Sequence, residues 1–265
     1  MALALRNRAI LSPAEHLARI ADPTLLFADA GEKPPHAHQV KALRNWRQDH
    51  MLLWTRQGGK STTGAVLAAH NLLFNSDDQR PPTVVIVSRA ERQSGETFLK
   101  TRTLLSKLPY APPLTIDSAT VIALAGGGRV LAYPGSEESV RGLSAVTLAL
   151  IDEATLTPTE LRNAISPMLS TTGGPIWSMA TARGCSGWFF DDWHNTDLGF
   201  VVKSKVTHDQ LDHISADYIA KERLRMPSWQ FKQEYECEFI DDGEVVLISA
   251  AIIDAARNPE VHALW

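Results

Sequence analysis

The chain has 265 residues, of which 44% are hydrophobic and 21% charged, so it is long enough to bury a large core and is not generally disordered. Its formal net charge of -4 argues against a protein whose whole surface coats nucleic acid, because such proteins are usually strongly basic. Two cysteines outside any C-x-x-C pair are too few for a disulfide framework, and no stretch reaches the ~20 apolar residues of a membrane helix.

The first part of the chain is predicted to be helical. The sequence Ser12-Pro13-Ala14-Glu15 has the pattern of a capping box with proline at the first helical position, so a helix should follow to about Ala21. Glycine and prolines interrupt the chain at 31–35. A second helix is predicted over 36–49, because its apolar residues fall on one helical face.

After these helices, strands and helices alternate. Apolar or β-branched runs predict strands over 51–54, 83–87, 121–124, 130–133, 146–151, 175–180 and 200–206. Amphipathic runs predict helices over 60–74, 91–105, 158–169, 215–225 and 227–237. Three glycines at 126–128 predict a hairpin between the third and fourth strands. The alternation indicates an α/β fold with a central, mainly parallel β-sheet flanked by helices, in which ligands bind at the carboxyl ends of the strands.

The sequence WTRQGGKST joins the first strand to the next helix and has the features of a phosphate-binding loop. Gly58 and Gly59 let backbone N–H groups approach phosphate oxygens, and the helix N-terminus adds a partial positive charge. Lys60 is predicted to bridge the β- and γ-phosphates, and the Ser61 hydroxyl to bind Mg²⁺. Trp54 stands where the general pattern has its first glycine, and the alternative is an ordinary loop before a helix.

Two adjacent acids end the strand predicted over 146–151. Asp152 is placed to hold the water shell of Mg²⁺, and Glu153 to polarise the attacking water as a general base. Strands also end in acids simply because the chain meets solvent, so the acid pair alone does not indicate a nucleotide site. It does so only together with the phosphate loop that precedes it. Together the two motifs predict hydrolysis of ATP or GTP.

At these motifs the chain resembles the large terminase subunits of tailed bacteriophages. Their phosphate loop is similar to the segment here, with an arginine and a glutamine before Gly-Lys-Ser and no need for the first glycine. The segment 35–39 resembles their adenine-recognition motif, with Gln39 as the adenine reader. The ATP-binding residues that the resemblance implies are Gln39, Arg56, Gln57, Gly58, Gly59, Lys60, Ser61 and Thr62.

The resemblance also implies residues that act on the γ-phosphate. The segment 135–142 resembles the one that precedes the acidic strand in this family, and its Arg141 is predicted to reach a neighbouring subunit's nucleotide in a ring. The alternative for Arg141 is a surface salt bridge with Glu137 or Glu138. Arg56 is a second arginine that could act within its own subunit. Thr181, in a segment similar to the coupling motif, is predicted to report loss of the γ-phosphate.

The implied protein is the ATP- and Mg²⁺-dependent motor domain of a viral DNA-packaging terminase in the cytoplasm of an infected bacterium. Its partners would be double-stranded DNA, the portal protein, the small terminase subunit and further copies in a homo-oligomeric ring. We expect an N-terminal helical extension at 1–35 and a P-loop ATPase domain of the additional-strand, RecA/helicase-like type at 36–239. A linker toward a nuclease domain is expected at 240–265, and no nuclease activity is expected from this chain.

Two other functions remain open from the sequence. A helicase-like DNA translocase shares the glutamine, phosphate-loop and Asp-Glu elements, although it normally has a second similar domain. A nucleotide-binding assembly or regulatory protein without turnover is the other alternative. Lys203 and Lys205 alternate on a predicted strand, where they either contact DNA phosphates or protect an exposed sheet edge.

Overall fold

The structure, a computed structural model, describes residues 9–75, 80–88, 91–134 and 142–241. Within these ranges, no helix is long and apolar enough to cross a membrane. The helices are α1 (Pro13–Ala21), α2 (Leu25–Asp29), α3 (Ala37–Arg44), α4 (Lys60–Phe74), α5 (Glu91–Lys107), α6 (Thr159–Ile165), α7 (Trp188–His194), α8 (Ala216–Arg225) and α9 (Ser228–Tyr235). The strands are β1 (Asp49–Trp54), β2 (Thr83–Ser88), β3 (Leu114–Asp117), β4 (Val121–Leu124), β5 (Arg129–Pro134), β6 (Leu148–Asp152), β7 (Ile176–Ala180) and β8 (Val201–Val206).

The strands form one mixed sheet in the order β3-β4-β5-β2-β6-β7-β1-β8. The pairs from β5 to β8 are parallel, and only β3–β4 and β4–β5 are antiparallel. The predicted α/β class with a mainly parallel sheet is therefore confirmed. Strand β7 lies between β1 and β6, so an additional strand separates the strand of the phosphate loop from the strand of the paired acids.

Both faces of the sheet are buried. Leu52 and Trp54 of β1 pack into one core with α2, α3 and α4, whereas Met51 and Leu53 pack into a second core with α6 and α7. Each of these four side chains is at most 3% exposed. Burial on both faces explains why the central strands are continuous apolar runs rather than alternating ones.

Several predicted elements are shorter than expected or were not predicted. The helix predicted over 36–49 ends at Arg44, because the chain turns and Asp49 begins β1, where its Oδ1 accepts a hydrogen bond of 2.7 Å from the Ile176 N–H. The helix predicted over 158–169 ends at Ile165 and continues as a 3₁₀ turn, Ser166–Leu169. The short elements α2, β3 and α7 were not predicted, since they carry too few residues for a clear periodicity.

The N-terminal helices pack onto the main domain. The predicted capping box of α1 is present. The Arg19 guanidinium donates to both carboxylate oxygens of Asp29 at 2.7 Å, and the Tyr110 hydroxyl donates to the same carboxylate at 2.6 Å. Leu26 and Phe27 of α2 are buried in the core shared with α4. The boundary predicted at residue 35 stays a prediction, and it does not separate two hydrophobic cores.

Strand β8 forms one edge of the sheet. The Lys203 amine donates to the carbonyls of Trp193 and Asn195 at 2.9 and 2.6 Å, so it caps the C-terminus of α7. Lys205 is exposed. Of the two roles open for these lysines, the contacts of Lys203 support the structural one.

Trp54 explains how the phosphate loop tolerates a large residue at the position of the usual first glycine. Its ring is fully buried at the end of β1, and its Nε1 donates to Ser204 Oγ at 3.0 Å. The side chain therefore points into the core instead of toward a ligand. This position is part of the packing and not of the phosphate contact.

We predict that Trp54→Ala lowers the free energy of unfolding by ~3–5 kcal/mol, because it leaves a large cavity in a well-packed core. Trp54→Phe should cost clearly less, since it retains most of the volume and loses mainly the hydrogen bond to Ser204. Urea denaturation followed by circular dichroism measures both. An alanine variant as stable as the phenylalanine variant would contradict this account of the position.

Candidate functional site

A cavity of about 270 Å³ opens at the carboxyl ends of β1, β6 and β7. The structure brings into its wall most of the residues that the sequence predicted for the site. These residues are Arg56, Gln57, Lys60, Ser61, Asp152, Glu153 and Thr181. The wall also contains residues that the sequence did not predict: Glu96, Thr155, Leu156, Ala180, Arg183 and Glu234.

The phosphate loop has an unusual backbone. Gln57 has φ 57° and Gly59 has φ 81°, both in the left-handed region that side chains with a Cβ rarely adopt. A Cβ on Gly59 would lie 2.7 Å from Gln39 Nε2, so this position has no space for a side chain. These turns bring the chain from β1 directly into the first turn of α4, where N–H groups without helical partners are available to an anion.

The Lys60 amine is held inside the loop. Its Nζ donates to the carbonyls of Trp54 and Thr55 at 2.7 and 3.0 Å. Desolvation lowers the pKa of Lys60 to about 8, although the carboxylates of Asp152 and Glu153 act in the opposite direction. The amine is therefore a positioned but poorly compensated cation, which an anionic ligand would stabilise.

The paired acids lie opposite the loop. Asp152 is buried, its Oδ2 accepts from Thr97 Oγ1 at 2.8 Å, and its Oδ1 accepts from the Glu153 N–H at 3.0 Å. Burial raises the pKa of Asp152. Burial, together with the neighbouring Asp152, also raises the pKa of Glu153.

Glu153 reaches the cavity through a left-handed turn. The residue has φ 51° and precedes a 3₁₀ turn, Ala154–Leu156, so it breaks the alternation of side chains along β6. Its Oε2 is buried and has no hydrogen-bond partner among the described residues. A buried carboxylate oxygen without a donor is costly, and it is available to accept a proton from a ligand or water in the cavity.

Arg56 is bound by a residue far along the chain. The Arg56 Nε lies 2.9 Å from Glu234 Oε2. The backbone N–H of Arg56 also donates to the backbone carbonyl of Glu234 at 3.0 Å. The Thr55 hydroxyl donates to the same carbonyl at 3.0 Å. Helix α9 therefore docks on the phosphate loop through Glu234, a contact that nothing in the local sequence pattern indicates.

Thr181 lies at the end of β7, in the same cavity wall. The Thr155 hydroxyl donates to the Thr181 carbonyl at 3.1 Å, so the turn after the paired acids is joined directly to the predicted coupling segment. This bond provides a short path between the acids and β7.

The remaining predicted residues lie outside the cavity wall. Gln39 is buried, and its Nε2 donates to Thr63 Oγ1 at 3.0 Å and to the Gly59 carbonyl at 3.4 Å. Its Oε1 accepts from the His36 N–H at 3.0 Å, so an adenine reader at this position would have to exchange these bonds. Its role stays a prediction. Gly58 and Gly59 form the loop backbone, Thr62 lies in the first turn of α4, and Arg141 lies outside the described residues.

The cavity fits a magnesium nucleotide in its choice of donors. Ser61 and Asp152 line it together. No group of three or more His, Cys, Asp or Glu residues suited to a metal ion occurs in the described parts of the chain. Two protein oxygens suit Mg²⁺, which commonly keeps waters and substrate phosphates as its other ligands rather than an all-protein cage.

Comparisons with known proteins identify similar chains. Residues 51–252 match the family model "Terminase large subunit, T4likevirus-type, N-terminal". The large terminase ATPase domain of Thermus phage P74-26 superimposes with a TM-score of 0.66 and 21% identity, over 83% of this chain and 99% of that one. No curated protein sequence gives a significant match.

Two longer terminases have a similar fold. The large terminase from a thermophilic bacteriophage, in complex with ADP, matches with a TM-score of 0.64 and 14% identity over 78% of this chain and 54% of that one. The large terminase of bacteriophage HK97 matches with a TM-score of 0.62 and 14% identity over 78% and 50%. This chain therefore spans about half the length of these two proteins.

We predict that Gly59→Ala destabilises the protein, because a left-handed φ costs ~1–2 kcal/mol for a residue with a Cβ and the new Cβ meets Gln39. Gly95→Ala on α5 is the matched control, since its Cβ would meet nothing within 4 Å. That control should raise stability by ~0.5–1 kcal/mol through helix propensity. Urea denaturation of both variants tests this, and equal stabilities would be incompatible with the strained loop described here.

Proposed function

This chain belongs to the family of T4likevirus-type large terminase subunits, whose N-terminal part it matches, and from this premise we propose that it is an ATP-hydrolysing motor that drives double-stranded DNA into a viral capsid. One observation carries the proposal. The amine of Lys60 and the carboxylates of Asp152 and Glu153 line a single cavity next to a phosphate-type loop. The similar large terminase from the thermophilic bacteriophage has been solved with ADP and with ATP-γ-S, which supports a nucleotide as the ligand.

Binding of the triphosphate follows from the charges of the loop. Among the described residues Lys60 donates to backbone carbonyls alone, so phosphate oxygens offer its ammonium a stronger, charge-assisted partner. The N–H groups at the start of α4 would receive the β-phosphate, with the helix dipole adding to the attraction. Gln57, Gly58 and Gly59 would contribute backbone N–H groups, and Thr62 would lie beside the α-phosphate side of the loop.

Ser61 and Asp152 are the residues that would hold Mg²⁺. When bound, the ion neutralises charge on the phosphate oxygens as the terminal phosphoryl group is transferred. The Thr97 hydroxyl and the Glu153 N–H both donate to Asp152 and so orient its carboxylate toward the cavity.

Glu153 is the proposed general base. As water oxygen bonds to the γ-phosphorus, the bond from that phosphorus to the β–γ bridging oxygen breaks, and the water proton passes to the Glu153 carboxylate. The products are ADP and inorganic phosphate. The raised pKa of Glu153 suits a proton acceptor in this position, and so does its Oε2, which accepts no hydrogen bond from any described residue.

The coupling of hydrolysis to movement is proposed to pass through Thr181 and Arg56. The Thr155–Thr181 bond connects the acid turn to β7, so loss of the terminal phosphate would be felt at the end of that strand. Arg56 would exchange its Glu234 partner for phosphate oxygens when ATP binds, which would loosen the contact between the loop and α9. Gln39, which packs against Gly59, would respond to the adenine.

The wider setting is proposed from the family. Residues 36–239 would form the ATPase domain, preceded by the helical extension at 1–35 and followed by a linker at 240–265. The partners would be double-stranded DNA, the portal protein, the small terminase subunit and further copies in a ring, in the cytoplasm of the infected host. Two assays test the alternative functions. A helicase-like translocase would separate the strands of a forked duplex. A regulatory protein would bind ATP without hydrolysing it.

We predict that Lys60→Ala weakens Mg–ATP binding roughly 10- to 100-fold, since it removes charge-assisted hydrogen bonds. Glu153→Gln should leave binding nearly unchanged but lower kcat about 10²- to 10⁴-fold, because it removes the base and keeps the shape. Calorimetry and phosphate release measure the two effects. Lys221→Ala, on the exposed face of α8, is the matched control and should behave as wild type. A folded wild-type chain that binds no Mg–ATP would refute the function.

We also predict that Arg141 acts on the site of a neighbouring subunit. Arg141→Ala retains the chain's own nucleotide site and lacks the arginine that reaches the neighbouring site (the arginine finger), whereas Lys60→Ala retains this finger and lacks an intact site. Each variant alone should hydrolyse ATP poorly in the assembled ring, and their mixture should recover activity because intact sites then meet intact fingers. Full hydrolysis by Arg141→Ala alone would exclude this role.

A further inference from the structure

Two arginines line the cavity, and they differ in what they bind. The Arg56 guanidinium is paired with Glu234 at 2.9 Å. The Arg183 guanidinium is exposed to solvent in the cavity wall and has no hydrogen bond or ion pair within the described part of the chain. Of the two guanidinium groups, Arg183 is therefore the one that a ligand can engage without breaking an existing contact.

The backbone of Arg183 is anchored, whereas its side chain has no partner among the residues that the structure describes. Its carbonyl accepts a hydrogen bond of 3.0 Å from the Ile240 N–H, and the next residue, Gly184, forms a parallel bridge with Ile240. On its other side, the chain enters the loop directly from β7 through Thr181. An arginine whose main chain is held at both ends presents its side chain to the cavity at lower entropic cost than one on a loose loop.

The ion pairs in the cavity wall show which of its cations are left to bind a ligand. Glu96 pairs with Lys100 and Glu234 pairs with Arg56, so these four charges are compensated. The charges that remain in the wall are the carboxylates of Asp152 and Glu153 and the cations of Lys60 and Arg183. A triphosphate entering with Mg²⁺ adds more negative charge than Lys60 alone can meet. Arg183 is a second cation of the same subunit that can meet this charge without first breaking an ion pair.

The position of Arg183 favours the terminal phosphate. The Arg183 guanidinium and the Glu153 carboxylate line the same cavity. Glu153 is the proposed base for water that attacks the γ-phosphorus, so the wall that these two residues share faces the γ-phosphate. A planar guanidinium can donate two parallel hydrogen bonds to phosphate oxygens, which an ammonium cannot do with the same geometry.

We propose that Arg183 contacts the γ-phosphate of the bound nucleotide from within its own subunit and so distinguishes ATP from ADP. This inference rests on the proposed function and adds to it a residue that neither the loop nor the acid pair contains. The Arg183 carbonyl accepts a hydrogen bond from the Ile240 N–H. Gain or loss of the γ-phosphate contact would therefore be transmitted to the chain segment that contains Ile240.

The test compares the affinities of Mg–ATP-γ-S and Mg–ADP by calorimetry on the full chain without DNA. Arg183→Ala should weaken ATP-γ-S binding roughly 10- to 100-fold and leave ADP binding nearly unchanged, because only the former carries the γ-phosphate. Arg183→Lys should recover part of the difference, since it restores charge without the planar donor pair. Arg225→Ala, which removes an exposed guanidinium paired with Glu222, is the control and should change neither affinity.

The outcomes separate this inference from the function on which it rests. If Lys60→Ala loses ATP-γ-S binding while Arg183→Ala binds both nucleotides as wild type does, the function stands and the role of Arg183 is overturned. An equal loss of both nucleotides would also overturn it, because that result indicates a structural role. If the wild-type chain binds neither nucleotide, the function itself fails.

Discussion

The parallel alignment of β1, β7 and β6 is the constraint on which the rest of this molecule depends. Parallel neighbours end at the same edge of the sheet, so the loops that follow the three strands open into one space. The phosphate loop, the acid pair and the segment with Thr181 are far apart in sequence and adjacent there. An antiparallel arrangement of any one strand would send its loop to the opposite edge and remove its residues from the cavity.

Several features of the cavity are costly in the folded protein. Lys60 is desolvated and held by carbonyls, one Glu153 oxygen has no hydrogen-bond partner in the described parts of the chain, and the backbone at Gln57 and Glu153 is left-handed without glycine. Each of these features costs free energy in the folded state, and structures keep such strain mostly where function requires it. The two fully buried faces of the sheet provide the packing energy that offsets these costs.

Two contacts of the cavity come from the same C-terminal stretch of the described chain. Glu234 of α9 binds Arg56 in the phosphate loop, and Ile240 binds the loop of Arg183. Two residues of the cavity wall, Arg56 and Arg183, therefore have partners that lie after β8. These contacts join the cavity wall to the segment that contains Ile240, and the Thr155–Thr181 hydrogen bond joins it to β7.

The sequence alone determined what depends on neighbouring residues. The helix at Lys60–Phe74, the capping box of α1 and the central strands follow from local periodicity and cap chemistry, and the structure confirms them. The positions of the phosphate loop and the acid pair could also be predicted, since their glycines, lysine and carboxylates stand in short contiguous runs.

Only the tertiary structure decided the contacts between distant segments. Glu234 lies 178 positions from Arg56, and no pattern around either residue indicates the pair. The same holds for Arg183, which lines the same cavity as Glu153 because it follows β7, and for Trp54, whose Nε1 donates to Ser204 of β8. Local sequence encodes backbone preference and polarity, whereas which charges meet depends on the order of strands in the sheet, and that order is set by packing over the whole chain.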